Sequence, residues 1–140
     1  MMMSKESGKT ADGLHMSPDS DLKLWTVTKI DIRSPVMPSA WPVARLELSH
    51  PKRGRVTDIG TAPGAFDAAF VAAGQILSIS PELLAYNVVS YDVDEEKALK
   101  IKVDIKLRLN GKEMVGTSTG VDLVRCSLDA WLDAASHMLP

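Results

Sequence analysis

The pattern of apolar and polar residues predicts β-strands over most of residues 24–118. The clearest strand signal lies in residues 99–109, where apolar residues alternate with charged ones. The apolar positions are Ile101, Val103, Ile105, Leu107 and Leu109, and the charged positions are Lys100, Lys102, Asp104, Lys106 and Arg108. This alternation is typical of an antiparallel sheet with one face in water. Asn110-Gly111 then predicts a tight hairpin, because both residue types tolerate positive φ, and a return strand follows over residues 112–118.

Four other segments also have the composition and alternation of strands. They are residues 24–32, 43–48, 55–60 and 83–93. In the first of them, strict alternation places Trp25 and Val27 on one face. Ile30 and Ile32 then fall on the opposite face.

Two segments follow the period of an α-helix instead. One apolar stripe consists of Phe66, Ala69, Phe70, Ala73, Ile76 and Leu77, and the other of Val124, Leu128, Trp131, Leu132, Ala135, Met138 and Leu139. We expect the first helix to end near residues 78–81, because Pro81 disfavours helix at Ser80. Phe70 and Trp131 are the expected core anchors. The order is therefore βββα-βββα, an α+β fold of two tandem units in which antiparallel sheets pack on helices.

The first part of the chain differs in composition from the rest. Residues 1–22 are polar and rich in Ser, Lys, Gly and Asp, with no periodicity. Such a segment cannot bury enough apolar surface to offset chain ordering, so we expect a disordered tail followed by one domain over residues 23–140. Met16 is an alternative start to Met1.

Charge and cysteine content exclude several classes of protein. The formal net charge is -2, whereas a general nucleic-acid binder usually has a basic excess. A lone cysteine, Cys126, permits no internal disulfide and fits a reducing cytosol. His15, His50 and His137 are scattered, so we expect no metal site and no cofactor. Since no stretch of about 18 apolar residues or signal peptide is seen, we expect a cytoplasmic protein that does not contact membranes.

Two short glycine motifs suggest an internal duplication. Residues 60–64 and 116–120 both read G-T-x-x-G, and we expect each to connect a strand to a helix, with Asp67 or Asp122 in the first helical turn. Unpaired amides at such a helix start can bind an anion. The alternative is structural: glycines that supply positive φ and acidic residues that complement the helix dipole. Neither motif matches a nucleotide P-loop, because neither is followed by lysine.

The residues after these motifs carry a family resemblance. Residues 62–68, A-P-G-A-F-D-A, align with the pattern G-[DN]-G-P-V-D-A, and residues 122–134 align with D-[IL]-[IV]-x-A-S-x-x-A-[YW]-L-x-A. Both patterns are similar to those of the C-terminal regulatory domain of 2-isopropylmalate synthase and citramalate synthase. The resemblance covers about residues 24–139 and is more specific in the second half.

The resemblance implies a pair of βββα units that dimerises and binds leucine or isoleucine, with inhibition of a separate catalytic barrel. By matched position it places the effector at Pro63, Gly64, Ala65, Phe66, Leu83 and Tyr86. The second glycine loop would comprise Gly116, Thr117, Gly120 and Asp122. Ala62, Pro63 and Ala65 depart from the family pattern, and Pro63 removes one backbone donor because proline has no N–H.

Three hypotheses follow. The leading one is a stand-alone regulatory module, a homodimer that senses a branched-chain amino acid or a related small acid and acts on a separate catalytic synthase subunit. We expect no catalysis by this chain itself, because a (β/α)8 barrel needs about 250 residues and the barrel's metal-ligand histidines are absent. The second is a dimerisation module that has lost ligand binding. The third is an enzyme with a new small-molecule site at the glycine loops.

Overall fold

The computed structural model describes residues 24–35, 40–93 and 98–137. The first unit consists of β1 (Thr26–Arg33), β2 (Val43–His50), β3 (Gly54–Thr61) and α1 (Ala65–Leu77). The second consists of β4 (Glu82–Val93), β5 (Ala98–Leu109), β6 (Lys112–Gly120) and α2 (Leu123–Ser136). The predicted α+β class and the order βββα-βββα are confirmed. The predicted tail over residues 1–22 lies outside the described residues, as do Met138 and Leu139.

Each unit contains a three-stranded antiparallel sheet in sequential order, β1-β2-β3 and β4-β5-β6. The β5–β6 hairpin turns at Asn110 and Gly111, whose φ angles are 54° and 81°. Both residues therefore adopt the positive φ that a two-residue turn of this type requires, which confirms the predicted hairpin. In the first unit, the β2–β3 turn ends at Gly54, with φ of 73°.

A β-bulge corrects the expected faces of β1. Its pairing with β2 shifts between Val27 and Lys29. The extra residue reverses the alternation, so Ile30 and Ile32 face the core together with Val27. The prediction of opposite faces was wrong because strict alternation assumes unbroken pairing. The first strand of the second unit has a register shift at the corresponding place, between Leu83 and Ala85.

Glycines allow both helices to pack directly against strand backbone. A Cβ atom on Gly60 would lie 2.3 Å from the carbonyl oxygen of Ala68 in α1. A Cβ atom on Gly116 would lie 2.1 Å from the carbonyl oxygen of Ala130 in α2. The helix backbone therefore occupies the space of the missing side chain in each unit. Together with the two bulges, this shared contact supports the internal duplication.

Among the described residues, one hydrophobic cluster joins both units. Its fully buried aliphatic members include Leu46 and Leu48 in β2, Ile105 and Leu107 in β5, and Leu128 in α2. Phe70 and Trp131 are buried and their rings stack at 6.4 Å, so both predicted anchors are confirmed. The two helices contact each other, and α2 also contacts β1 of the first sheet. Within the described ranges, no helix is long and apolar enough to cross a membrane.

Candidate effector-binding groove

The second glycine motif is part of a strand, which corrects the expected loop. Residues 116–120 complete β6, where Gly116 pairs with Ile105 and Gly120 pairs with Ile101. The pairing continues because β5 is long enough to offer partners up to that point. Thr117 is held at the sheet edge, since its amide donates to the Asp133 carboxylate of α2 at 3.0 Å. This segment therefore offers no glycine loop for a ligand.

The start of α2 is capped by its own side chain. Asp122 is the N-cap residue and does not lie in the first helical turn as expected. Its carboxylate accepts hydrogen bonds from the amides of Val124 at 2.9 Å and Arg125 at 3.3 Å. Those donors are the ones that an anion at a helix N-terminus would use. The second helix therefore already holds an anionic group of the chain itself.

The start of α1 has no such cap. Gly64 is the N-cap residue, and no side chain among the described residues makes a capping hydrogen bond there. Its φ of −106° is accessible to any residue, so positive φ does not explain this glycine. A Cβ atom would instead lie 2.9 Å from an oxygen of Asp67, the acidic residue of the first turn. The first turn of α1 therefore presents amides without a side-chain partner, next to a carboxylate.

An aromatic junction connects the two units beside α1. Tyr86 of β4 makes edge contacts with Phe66 at 5.9 Å and Phe70 at 6.1 Å between ring centroids. The Tyr86 hydroxyl lies 2.6 Å from Oγ of Ser127. Ser127 in turn donates to the Leu123 carbonyl at 2.7 Å, so the tyrosine is the donor of the pair. The Tyr86 hydroxyl is thus hydrogen-bonded to α2, while its ring packs on α1.

A groove of about 310 Å³ runs along α1 next to this junction. The solvent-exposed stripe of α1, formed by Asp67, Val71 and Gln75, lines one side. The rest of the wall comes from the helix face around Phe70, the connection to β4 and the neighbouring helix. These further residues are Phe70, Gly74, Ile79, Ser80, Pro81, Leu83 and Trp131. The groove is thus mostly apolar, with a carboxylate at the end nearest the start of α1.

The structure distributes the six expected effector residues over adjacent regions. Leu83 lines the groove, whereas Phe66 and Tyr86 belong to the aromatic junction. Pro63 is exposed, and residues 63–65 lie at the entrance to α1 without lining the groove. Sequence reasoning did not assign Val71 or Trp131 to a ligand site. The sequence carried no signal for Val71, because a single exposed apolar residue on a helix is common.

A second groove, of about 320 Å³, lies where β6 leads into α2. It is lined by Thr119, Gly120, Val121, Asp122, Arg125, Cys126 and Asp129. Burial raises the pKa of Asp129, while Arg125, at 3.5 Å, opposes that shift. The shift does not by itself identify a functional site, because structural ion pairs also perturb pKa values. The Cys126 side chain is buried. Within the described parts of the chain, no three His, Cys, Asp or Glu side chains are grouped to hold a metal ion. This groove therefore indicates no reaction class.

The basic residues of β5 are partly neutralised on the outer face of the second sheet. Arg108 contacts Glu82 at 2.7 Å, and Lys106 contacts Glu113 at 3.2 Å. The hydrogen bond to Glu82 raises the pKa of Arg108 above its usual range. This face of β5 is thus a mixed-charge surface, unlike the continuous basic surface that favours nucleic acid.

Comparison with known proteins agrees with this architecture. The chain matches the family described as the LeuA allosteric (dimerisation) domain over residues 14–139. It belongs to that family. Similar relatives include 2-isopropylmalate synthases of Xanthomonas axonopodis pv. citri (strain 306), 32% identical, and of Stenotrophomonas maltophilia (strain K279a), 31% identical. Each alignment covers 96 residues, which is 69% of this chain and 18% of the relative.

The LeuA match identifies which part of the relatives this chain corresponds to. The chain spans about 18% of the length of these synthases, and the matched family is their regulatory and dimerisation domain. The tandem βββα architecture is therefore that of a regulatory domain, as the sequence resemblance implied. The activity named for the relatives belongs to those whole proteins.

Proposed function

We propose that this LeuA-type domain binds leucine or isoleucine in the α1 groove, self-associates, and regulates a catalytic synthase supplied by another chain. The observation that carries the proposal is the groove itself. Its volume of about 310 Å³ lies at the small end of the range for ligand pockets, which suits a single amino acid. The regulated reaction would be that of the synthase relatives in leucine biosynthesis.

The apolar part of the groove fits a branched aliphatic side chain. Leu83, Ile79 and Trp131 line its walls. Phe70 lies at its inner side, held between Trp131 and Tyr86 by ring contacts. Burying a leucine-sized side chain against such walls contributes about 2 kcal/mol. A charged or strongly polar side chain would lose hydration there without gaining a partner.

One end of the groove, together with the start of α1 beside it, offers partners for the two charged groups of a free amino acid. The Asp67 carboxylate is exposed and lines the groove, so it can accept hydrogen bonds from an ammonium group. The first amides of α1 lack a side-chain cap and can donate to a carboxylate at the positive end of the helix dipole. Pro63 supplies no donor, but Ala65 and Phe66 retain their backbone N–H groups.

Calorimetric titration with leucine, isoleucine, valine and alanine tests this proposal. We expect saturable heat for the two larger branched amino acids and much less for alanine. Val71→Arg fills the groove and repels an ammonium group, so it should remove the heat. Val115→Arg is the matched control, because Val115 is exposed on β6 away from the groove. Equal binding by Val71→Arg and Val115→Arg would contradict the assignment of the groove.

Asp67→Asn separates the polar end of the site from its apolar part. Replacing the carboxylate by an amide keeps the shape but removes the charge that attracts an ammonium group. We expect leucine affinity to fall about tenfold, equivalent to about 1.4 kcal/mol. Asp31→Asn is the control, because Asp31 is an exposed aspartate of β1 that does not line the groove. No heat from any branched amino acid at millimolar concentration, with self-association retained, would instead support a dimerisation module without ligand binding.

A further inference from the structure

We propose that Trp131 sets the upper size limit of the side chain that the α1 groove accepts, so that leucine and isoleucine fit while methionine and phenylalanine are excluded. This inference rests on the proposed function and deepens it, because it names the residue that selects among apolar amino acids. Trp131 belongs to α2 of the second unit, yet it lines the groove along α1 of the first. The place of its ring along α1 decides which side chains can fit.

The Trp131 ring lies against the middle of α1, away from the carboxylate of Asp67. It stacks on Phe70, with the two ring centroids 6.4 Å apart and the ring planes 10° from parallel. Its Cζ2 atom lies 4.0 Å from the position that a Cβ atom would take on Gly74. Gly74 follows Asp67 by seven residues, which corresponds to roughly 10 Å along a helix axis. The indole edge is therefore about two helical turns from Asp67.

That spacing limits the length of a ligand whose ammonium group is bound at Asp67. A hydrogen bond from the ammonium group to the carboxylate takes up about 3 Å, and the ligand side chain must fit in the rest of the span. A leucine side chain can end in contact with the indole. The longer methionine and phenylalanine side chains would overlap with it, and overpacking of a dense interior is costly.

The Trp131 ring is fixed by its surroundings. The residue is only 2% exposed, and Phe70 packs on one face of its ring. Phe70 in turn makes an edge contact with Tyr86 at 6.1 Å. Moving the indole aside would disturb this aromatic junction and the core, which is packed as densely as an organic crystal. A longer ligand side chain therefore meets a rigid wall.

A backbone turn forms the same end of the groove. The chain reverses after α1 at Ser78, whose φ is 59°, and the amide of Ile79 donates to the carbonyl of Gly74 at 2.9 Å. Gly74 permits this close return, because a Cβ atom there would lie 2.5 Å from the carbonyl oxygen of Ile79. Ile79 and Trp131 thus line this end of the groove together.

Calorimetric titration with leucine, methionine and phenylalanine tests the size limit. We expect the unmodified protein to bind leucine about tenfold or more tightly than the two longer amino acids. Trp131→Phe shortens the wall but keeps an aromatic anchor, so it should shift this affinity ratio about tenfold toward the longer amino acids. Trp25→Phe is the matched control and should leave the ratio unchanged, because Trp25 is 5% exposed and does not line the groove.

Ile79→Ala is a second variant at the same end of the groove. Ile79 is partly buried and packs at the edge of the core, so its truncation tests the size limit even if circular dichroism shows Trp131→Phe unfolded. It should shift the ratio in the same direction. Leucine should also change the tryptophan fluorescence of the unmodified protein and of Trp25→Phe, but not that of Trp131→Phe, because the ligand contacts the Trp131 indole.

The outcomes separate this inference from the proposed function. Leucine binding with a ratio that folded Trp131→Phe leaves unchanged would overturn the size limit while the proposed function stands. If Trp131→Phe does not fold, an unchanged ratio in Ile79→Ala has the same meaning. An equal shift in Trp25→Phe would also overturn the size limit, because the effect would not be local to the groove. No binding of any of the three amino acids by the unmodified protein at millimolar concentration would overturn both proposals.

Discussion

The two βββα units share their architecture but differ where each helix begins. Both place a bulge near the start of their first strand and a glycine under the helix. The first helix starts at Gly64 without a side-chain cap, whereas Asp122 caps the second through two amides. A duplicated unit thus retains the contacts that define its packing and can change the chemistry at its helix ends. We infer that the uncapped end serves the ligand and the capped end serves stability.

The units also differ in how completely their helices cover their sheets. In the first sheet, Ile30 and Ile32 are partly buried at the far end of β1. In the second, Leu99 and Val88 remain exposed on the corresponding side. The difference follows from strand length, because a helix of similar length covers strands that are longer by half. The second sheet therefore leaves apolar surface uncovered by its helix where the first sheet does not.

The largest expected effect tests what the units have in common. Gly60→Ala and Gly116→Ala each place a methyl group against helix backbone, which cannot move aside as a side chain can. We expect each to destabilise the protein by about 3 kcal/mol or to prevent folding, measured by denaturant unfolding. Gly64→Ala is the control and should cost less than about 1 kcal/mol, because the atom nearest its new methyl belongs to the exposed Asp67 side chain. A tolerated Gly116→Ala beside a disruptive Gly60→Ala would show that the packing is not equivalent.

The next effect concerns the helix starts. Asp122→Ala removes the acceptor of two amide hydrogen bonds and should lower the free energy of unfolding by about 1 kcal/mol. Asp67→Ala, in the uncapped helix, should lower it by about 0.5 kcal/mol or less, since only the favourable interaction with the helix dipole is lost. Thermal unfolding of the two variants gives the comparison. Equal losses would remove the distinction between a capped and an uncapped helix.

A smaller effect tests the connection between the units. Tyr86→Phe removes the hydroxyl that donates to Ser127 and should cost about 0.7 kcal/mol. A double-mutant cycle with Ser127→Ala should give a coupling of about 0.5 kcal/mol. Additive losses would mean that the two hydroxyls do not stabilise the junction together.

The smallest effect is a pH dependence specific to the second unit. Because burial raises the pKa of Asp129, the folded protein holds this proton more tightly than the unfolded chain does. The stability of the unmodified protein relative to Asp129→Asn should therefore fall as pH rises from the ordinary aspartate pKa through the raised one, and then level off. Unfolding measured at several pH values gives this difference. A relative stability that rises over the same interval would contradict the direction of the shift.

The sequence predicted the fold where local pattern and tertiary contacts agree. The alternation around Ile105 and the turn at Asn110 are examples, because a half-buried strand and a two-residue turn each restrict the residue types allowed. It failed at Ile30 and Ile32, because the change of apolar phase after Val27 fits either two opposite faces or a bulge, and the pairing with β2 distinguishes them. It also failed at Gly116, where a glycine read as a loop residue is a close contact with α2 inside a strand.

The candidate site was predicted less completely than the fold. The family pattern points to Leu83, which lines the groove, but also to residues 63–65 at the helix entrance. Trp131 reaches the groove from the other unit, and no local signal connects it with Val71 on α1. Side chains from separate elements can be assigned to one site only when the packing of those elements is known.

The central claim is that the ligand site belongs to the uncapped helix, and NMR titration with leucine tests it most directly. We expect amide chemical shifts to change along α1, at Asp67, Val71 and Gln75, and at Leu83. The amides of Val124 and Arg125, already bonded to Asp122, should stay unchanged. Saturable shifts centred on the start of α2, or no shifts at millimolar leucine, would contradict the account.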